Sequence, residues 1–179
     1  MRKITVTEFM SLDGVIENPQ WTFKYWNDQI AGFKAEETSA NEDLLLGRVT
    51  YEGFAAAWPN RKDEDPGAAY FNGTRKYVVS NSLEKADWNN SVIIKGNAIE
   101  EITKLKEQDG PNLVVHGSAR LAQSLIQNKL VDEIRLLVYP LVLSGGARLF
   151  NENNPVTLNL VSSRNFNGVL GLVYEPVKS

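Results

Sequence analysis

The chain is predicted to fold as one α/β domain with a mostly parallel sheet, helices on both faces and an antiparallel C-terminal hairpin. One observation predicts the parallel part. Short β-branched runs alternate with amphipathic segments as far as about residue 130, and alternation of this kind implies right-handed crossovers between parallel strands. A second observation predicts the finish: from Glu133 onward the apolar runs are all strand-like. Asn167-Gly168 separates the last two, and both residues tolerate the positive φ of a tight hairpin turn.

Ile4 to Met10 reads as the first strand, ending at the polar turn Ser11-Leu12-Asp13-Gly14. After Pro19 and Trp21, the spacing of Phe23, Trp26, Ile30 and Phe33 places all four on one side of a helix. Leu44-Leu45-Leu46, closed by Gly47, suits a strand buried on both faces, and Thr50 is expected to cap a helix through Ala57, which stops before Pro59. Arg61 to Gly67 reads as a solvated, charged loop. Tyr77–Val79 and Val92–Ile94 are the next strands, and Ile99 to about Gln108 is a helix. Leu113–Val115 is a strand, and Ala119–Asn128 is a helix buried through Leu121, Leu125 and Ile126. Strands then follow from Glu133, over Val156–Val161 and over Val169–Tyr174. No stretch is rich enough in Pro, Gly or Ser to divide residues 1–179, so a single domain is expected.

Composition narrows the function. The chain has 179 residues, 42% of them hydrophobic, which is ample for a core that needs no staples. With no cysteine, disulfides, Cys-ligated metal sites and thiol nucleophiles are excluded. The single histidine, His116, excludes a multi-His metal site, and no metal is expected. Nineteen basic against 22 acidic residues give a net charge of −3, with no general pull towards nucleic acid or anionic lipid. No apolar run approaches a signal peptide or membrane span, so the expected address is the cytoplasm and the expected partner a small molecule.

In such a sheet, ligands sit at the carboxyl ends of the strands. Four loops qualify. Gly47, Arg48 and Thr50 offer backbone N–H groups at a helix start beside a guanidinium, which suits a phosphate, or else an ordinary cap with a surface arginine. Ser80 and Asn81 suit a phosphate or ribose, or a common polar turn. Gly117, Ser118 and Ala119 form a strand-to-helix turn where a pyrophosphate can approach the backbone, or a sharp turn with a serine cap; His116 beside it reads as an orienting or packed residue. Asp13 with Gly14, Val15 and Ile16 puts a carboxylate at the ligand edge, or a turn. Neither GxGxxG nor a P-loop is present, which argues against a standard Rossmann domain and an NTPase.

Together these segments resemble a known family. Gly47-Arg48-Val49-Thr50-Tyr51-Glu52 is similar to the Gly-Arg-x-Thr segment of the dihydrofolate reductase fold. Ser11-Leu12-Asp13-Gly14, the run from His116 to Leu121, and Leu130 to Glu133 through Pro140 to Gly145-Gly146 more specifically resemble the reductase domain of riboflavin biosynthesis. The resemblance spans about Lys3 to Pro176 and implies a three-layer α/β/α sandwich, an NADPH site and usually a homodimer. It implies Arg48 at the 2′-phosphate, Thr50 at the pyrophosphate, Ser80 and Asn81 on the adenosine side, and Gly117, Ser118 and Ala119 under the pyrophosphate. Asp13, Gly14, Val15 and Ile16 would lie near nicotinamide and substrate, with Asp13 the candidate to polarise or protonate the substrate.

The implied activity is NADPH-dependent reduction like that of 5-amino-6-(5-phosphoribosylamino)uracil reductase. Three departures bear on it. Ser118 replaces the second glycine of the family's Gly-Gly turn and is expected to crowd the backbone approach. Gln29 stands where folate reductases carry a helix acid, and Asp28, one residue away, is about 100° round the helix. The zinc deaminase domain that often accompanies the reductase has no His/Cys ligand set in this cysteine-free chain. Rival expectations are a reductase of folate or another small imine or carbonyl compound, and a non-catalytic dinucleotide-binding dimer.

Overall fold

The computed structural model describes residues 1–61, 65, 67–152 and 154–177. Its centre is an eight-stranded sheet: β1 (Ile4–Ser11), β2 (Asp43–Gly47), β3 (Lys76–Val79), β4 (Ser91–Ile94), β5 (Leu113–Val115), β6 (Glu133–Tyr139), β7 (Leu158–Phe166) and β8 (Val169–Pro176). The strands lie in the order β4-β3-β2-β5-β1-β6-β8-β7. All neighbours from β4 to β6 are parallel, and β8 runs antiparallel to both β6 and β7. The expected architecture, hairpin included, is therefore the observed one, and Asn167 and Gly168 do adopt positive φ (56° and 97°).

The helices are α1 (Asp28–Ser39), α2 (Arg48–Ala57), α3 (Ala68–Gly73), α4 (Ala98–Glu107) and α5 (Ala119–Gln127). Alternation along the strands divides the core between the two faces. Leu45 packs with Ile4, Val6 and Val115 against Ile102 and Leu105 of α4 and Leu121 and Leu125 of α5. Leu44 and Leu46 face the other way, with Tyr51 of α2 and Phe71 of α3. Further along the sheet, Ile30 and Phe33 of α1 pack with Leu137, Tyr139 and Phe166.

Three expectations need correction, and one helix, α3, was not expected. The helix drawn through Phe23 and Trp26 is broken: Pro19–Tyr25 forms 3-10 turns, Trp26 is extended, and Asn27 caps α1 by accepting from the Gln29 and Ile30 amides. Phe23 and Trp26 are consequently 74% and 49% exposed. Thr50 does not cap α2, because β2 runs straight into the helix and Gly47 takes the cap position. β7 continues to Phe166 through polar Ser162–Asn165; as an exposed edge strand it is held by its ladder to β8 and shows little apolar pattern. α3 has only six residues, too few for a readable helical period. Lys62, Asp63, Glu64 and Pro66 of the predicted charged loop lie outside the described residues.

Candidate functional site

Because β1 to β6 are parallel, the loops at residues 11–16, 47–50, 80–81 and 116–119 all leave the same edge of the sheet. Two of them touch. The Gly47 N–H donates to the Gly117 carbonyl at 3.1 Å. A Cβ on Gly47 would lie 2.5 Å from Ser118 Oγ, and one on Gly117 would lie 2.9 Å from Thr50 Oγ1. Gly117 also has φ +108°, a conformation that disfavours any other residue, and its bond to Ser118 is cis. The Ser118 side chain thus occupies the space that Gly47 leaves empty. Ser118 makes no side-chain cap to α5 although it holds the cap position. Released from capping, Thr50 directs its hydroxyl to the joint between the two turns.

Arg48 is half-exposed and binds Glu52, one turn on, through two contacts of 2.9 Å. The stretch from Gly47 to Tyr51 has no acid, but the next residue supplies one. Ser80 follows Val79, the ladder partner of Gly47, so the Arg48 and Ser80 loops leave neighbouring strand ends. The Ser80 hydroxyl accepts from the Leu83 and Ser82 amides (2.9 and 3.2 Å), and Asn81 bonds both backbone groups of Gly96.

The Asp13 loop is interlocked with residues 141–149. The Asp13 carboxylate accepts from the Ser11 hydroxyl at 2.6 Å and from the Leu143 and Ser144 amides at 3.1 and 2.9 Å. Those bonds, the one from Ser11 foremost, hold its pKa down at about 2. Gly14 takes φ +87° and its carbonyl accepts from Leu149; Ile16 donates to the Ala147 carbonyl. Val15 and Ile16 are buried.

Several polar residues near this edge escaped sequence reasoning. The Thr7 hydroxyl donates to Glu37 at 2.7 Å, and Lys34 both donates to Thr7 Oγ1 at 3.1 Å and pairs with Glu37. Lys34 also lies over the Phe9 ring at 5.1 Å. A signal was present: Ile30, Phe33, Lys34 and Glu37 form one i, i+3, i+4, i+7 stripe, so two charged residues share the helix face that buries Ile30 and Phe33. His116 packs against the rings of Phe54 and Phe71 (5.9 and 5.5 Å). Burial, and then the charge of Lys34, push its pKa well below the usual histidine value. Glu8, in the middle of β1, has a buried Oε1 with no partner, and burial pushes its carboxyl up to about 8. It too was visible, as an acid where the Ile4–Val6 alternation calls for an apolar residue.

A depression of about 850 Å³ lies elsewhere, behind α2, lined by Tyr51, Glu52, Leu83, Lys85 and Trp88 among others. It includes none of the sequence-predicted site residues. Among the described residues, no helix is long and apolar enough to cross a membrane.

Residues 2–170 match the family described as the RibD C-terminal domain. The chain belongs to that family. Protein YyaP of Bacillus subtilis (strain 168) is 30% identical over 97% of this chain and 95% of its own. A protein of Shewanella sp. PV-4, described as a riboflavin biosynthesis protein, superposes with a TM-score of 0.77 at 21% identity, covering 98% of this chain and 99% of that one. A dihydrofolate reductase from Enterococcus faecalis, complexed with NADP(H), superposes with a TM-score of 0.63 at 16% identity, covering 98% and 97%. The two structural likenesses show the fold. Within this RibD C-terminal domain, the residues present suit a dinucleotide: one glycine in each turn lets the starts of α2 and α5 meet closely, first-turn N–H groups there lack helical partners, and the Thr50 hydroxyl lies at the joint.

Proposed function

We propose that the protein is an NADPH-dependent reductase of a small imine or carbonyl compound, of the same kind as 5-amino-6-(5-phosphoribosylamino)uracil reductase. The observation that carries this reading is the direct contact of the Gly47 and Gly117 turns with Thr50 at their joint. Bound there, NADPH supplies a hydride; the protein's part is to bind, orient and exclude water. Gly47, Thr50, Gly117, Ser118 and Ala119 hold the pyrophosphate, Ser80 and Asn81 border the adenosine, and Gly14, Val15 and Ile16 border the nicotinamide. Asp13 acts as a loop anchor. A carboxylate that accepts three hydrogen bonds and stays ionised to about pH 2 is poorly suited to donate a proton. The folate reading has less support, since Asp28 and Gln29 are both exposed on the first turn of α1.

Arg48 reads the 2′-phosphate in this proposal, exchanging Glu52 for a doubly charged partner. Charge-assisted contacts contribute roughly 1.5–3 kcal/mol, and breaking an exposed helix pair costs about 0.5 kcal/mol. Arg48→Ala should therefore weaken NADPH about five- to seventyfold and leave NADH nearly unchanged, as measured by titration of both nucleotides. Equal losses for the two, or none for either, would overturn the assignment.

A further inference from the structure

Glu8 occupies a costly position. It lies in β1 with β5 on one side and β6 on the other, opposite Leu136 in the ladder. By alternation it belongs to the sheet face of Ile4 and Val6, both fully buried. Its Oε1 is buried without a hydrogen-bond partner. That oxygen lies 3.6 Å from the point where a side chain on Gly117 would begin, and Thr50 Oγ1 lies 2.9 Å from the same point. A carboxyl and a hydroxyl therefore converge on the joint of the two glycine turns. An apolar side chain would cover the same surface without orphaning an oxygen, so packing alone does not account for the acid.

We propose that Glu8 is a further binding residue for the dinucleotide, donating a hydrogen bond as a neutral carboxylic acid to the group seated against Gly117 and Thr50, and repelling that group once ionised. The proposal rests on the cofactor reading above. The charges that bear on Glu8 come from α1, which packs on the opposite, Thr7 and Phe9 face of β1: Lys34 favours the carboxylate, Glu37 opposes it, and these two are paired with each other. Burial outweighs both and sets the carboxyl at about 8. Near neutral pH the group therefore keeps its proton and remains a donor.

The test is calorimetric titration of NADP+ and NADPH into wild type and Glu8→Gln between pH 7 and 9. In that range the 2′-phosphate, with a second pKa of about 6, is nearly fully charged. Lys76, also placed at about 8, sits at the start of β3 in both proteins, so the difference between wild type and Glu8→Gln reports Glu8. Wild-type affinity should fall about tenfold as the competent, protonated fraction declines. Glu8→Gln, a permanently neutral donor, should bind tightly and without pH dependence. As a second readout, carbon-13 NMR of labelled glutamate carboxyls in wild type should show one group titrating near pH 8, moved higher by NADP+. A pH profile shared by wild type and variant, or a carboxyl pKa that NADP+ leaves unmoved, would overturn the role of Glu8 alone. If neither protein binds either nucleotide at any pH, the cofactor reading fails and takes this role with it.

Discussion

Glu8 and Asp13 are carboxylates of one chain segment, the first inside β1 and the second just beyond its end, and the fold treats them oppositely. Asp13 receives hydrogen bonds from Ser11, Leu143 and Ser144 and is held at about 2. Glu8 is half-buried, has one orphaned, buried oxygen beside the Gly117 turn, and is pushed up to about 8. Residue type is nearly the same in both; the supply of donors and water differs. A carboxylate that receives donors from its own loop stays ionised, whereas one with an oxygen buried and unpartnered holds its proton to higher pH.

The largest way to break this contrast is to fill the space beside Glu8. Gly117→Ala forces a Cβ to 2.9 Å from Thr50 Oγ1 at φ +108°. It should cost about 1–3 kcal/mol in urea denaturation and lower NADPH affinity at least tenfold; unchanged stability and binding would remove Gly117 from the site.

A second effect separates the two carboxylates through pH. The folded-state pKa of Glu8 lies above its ordinary 4.5, so the neutral group costs nothing extra below that value, and stability is lost as pH rises through about 8. Glu8→Gln should therefore melt like wild type at pH 4 and a few degrees higher at pH 9. Asp13 runs the other way. Its pKa is depressed from 3.8 to about 2, so its contribution is present above 3.8 and lost as pH falls through about 2. Asp13→Ala should melt slightly below wild type at pH 7, with the gap closing towards pH 2. Melting curves of both variants across this range are the check, and parallel profiles would erase the distinction.

Much of the fold was legible because its signals are local. Leu44–Leu46 announces a strand buried on both faces, and Asn167-Gly168 announces the hairpin. Asn27 hid a helix break inside an apparently continuous apolar spacing, since capping depends on one side-chain oxygen. Of the site, the glycine turns were legible as turns, but their mutual contact was not: Gly47 and Gly117 are far apart in sequence, and only the pairing of β2 with β5 joins them. The partnering of Arg48 with Glu52 is legible as i, i+4 spacing. Glu8 and Lys34 were polar residues at apolar positions, a pattern that reads as noise until the surrounding strand and helix are in place.

Whether a dinucleotide seats at the joint of the Gly47 and Gly117 turns is decided by amide chemical-shift mapping of nitrogen-15-labelled protein during NADP+ titration. The largest shifts are expected at Gly47, Thr50, Gly117 and Ser118. Saturable binding that instead moved Leu83, Lys85 and Trp88 behind α2 and left the two turns unchanged would contradict that seating.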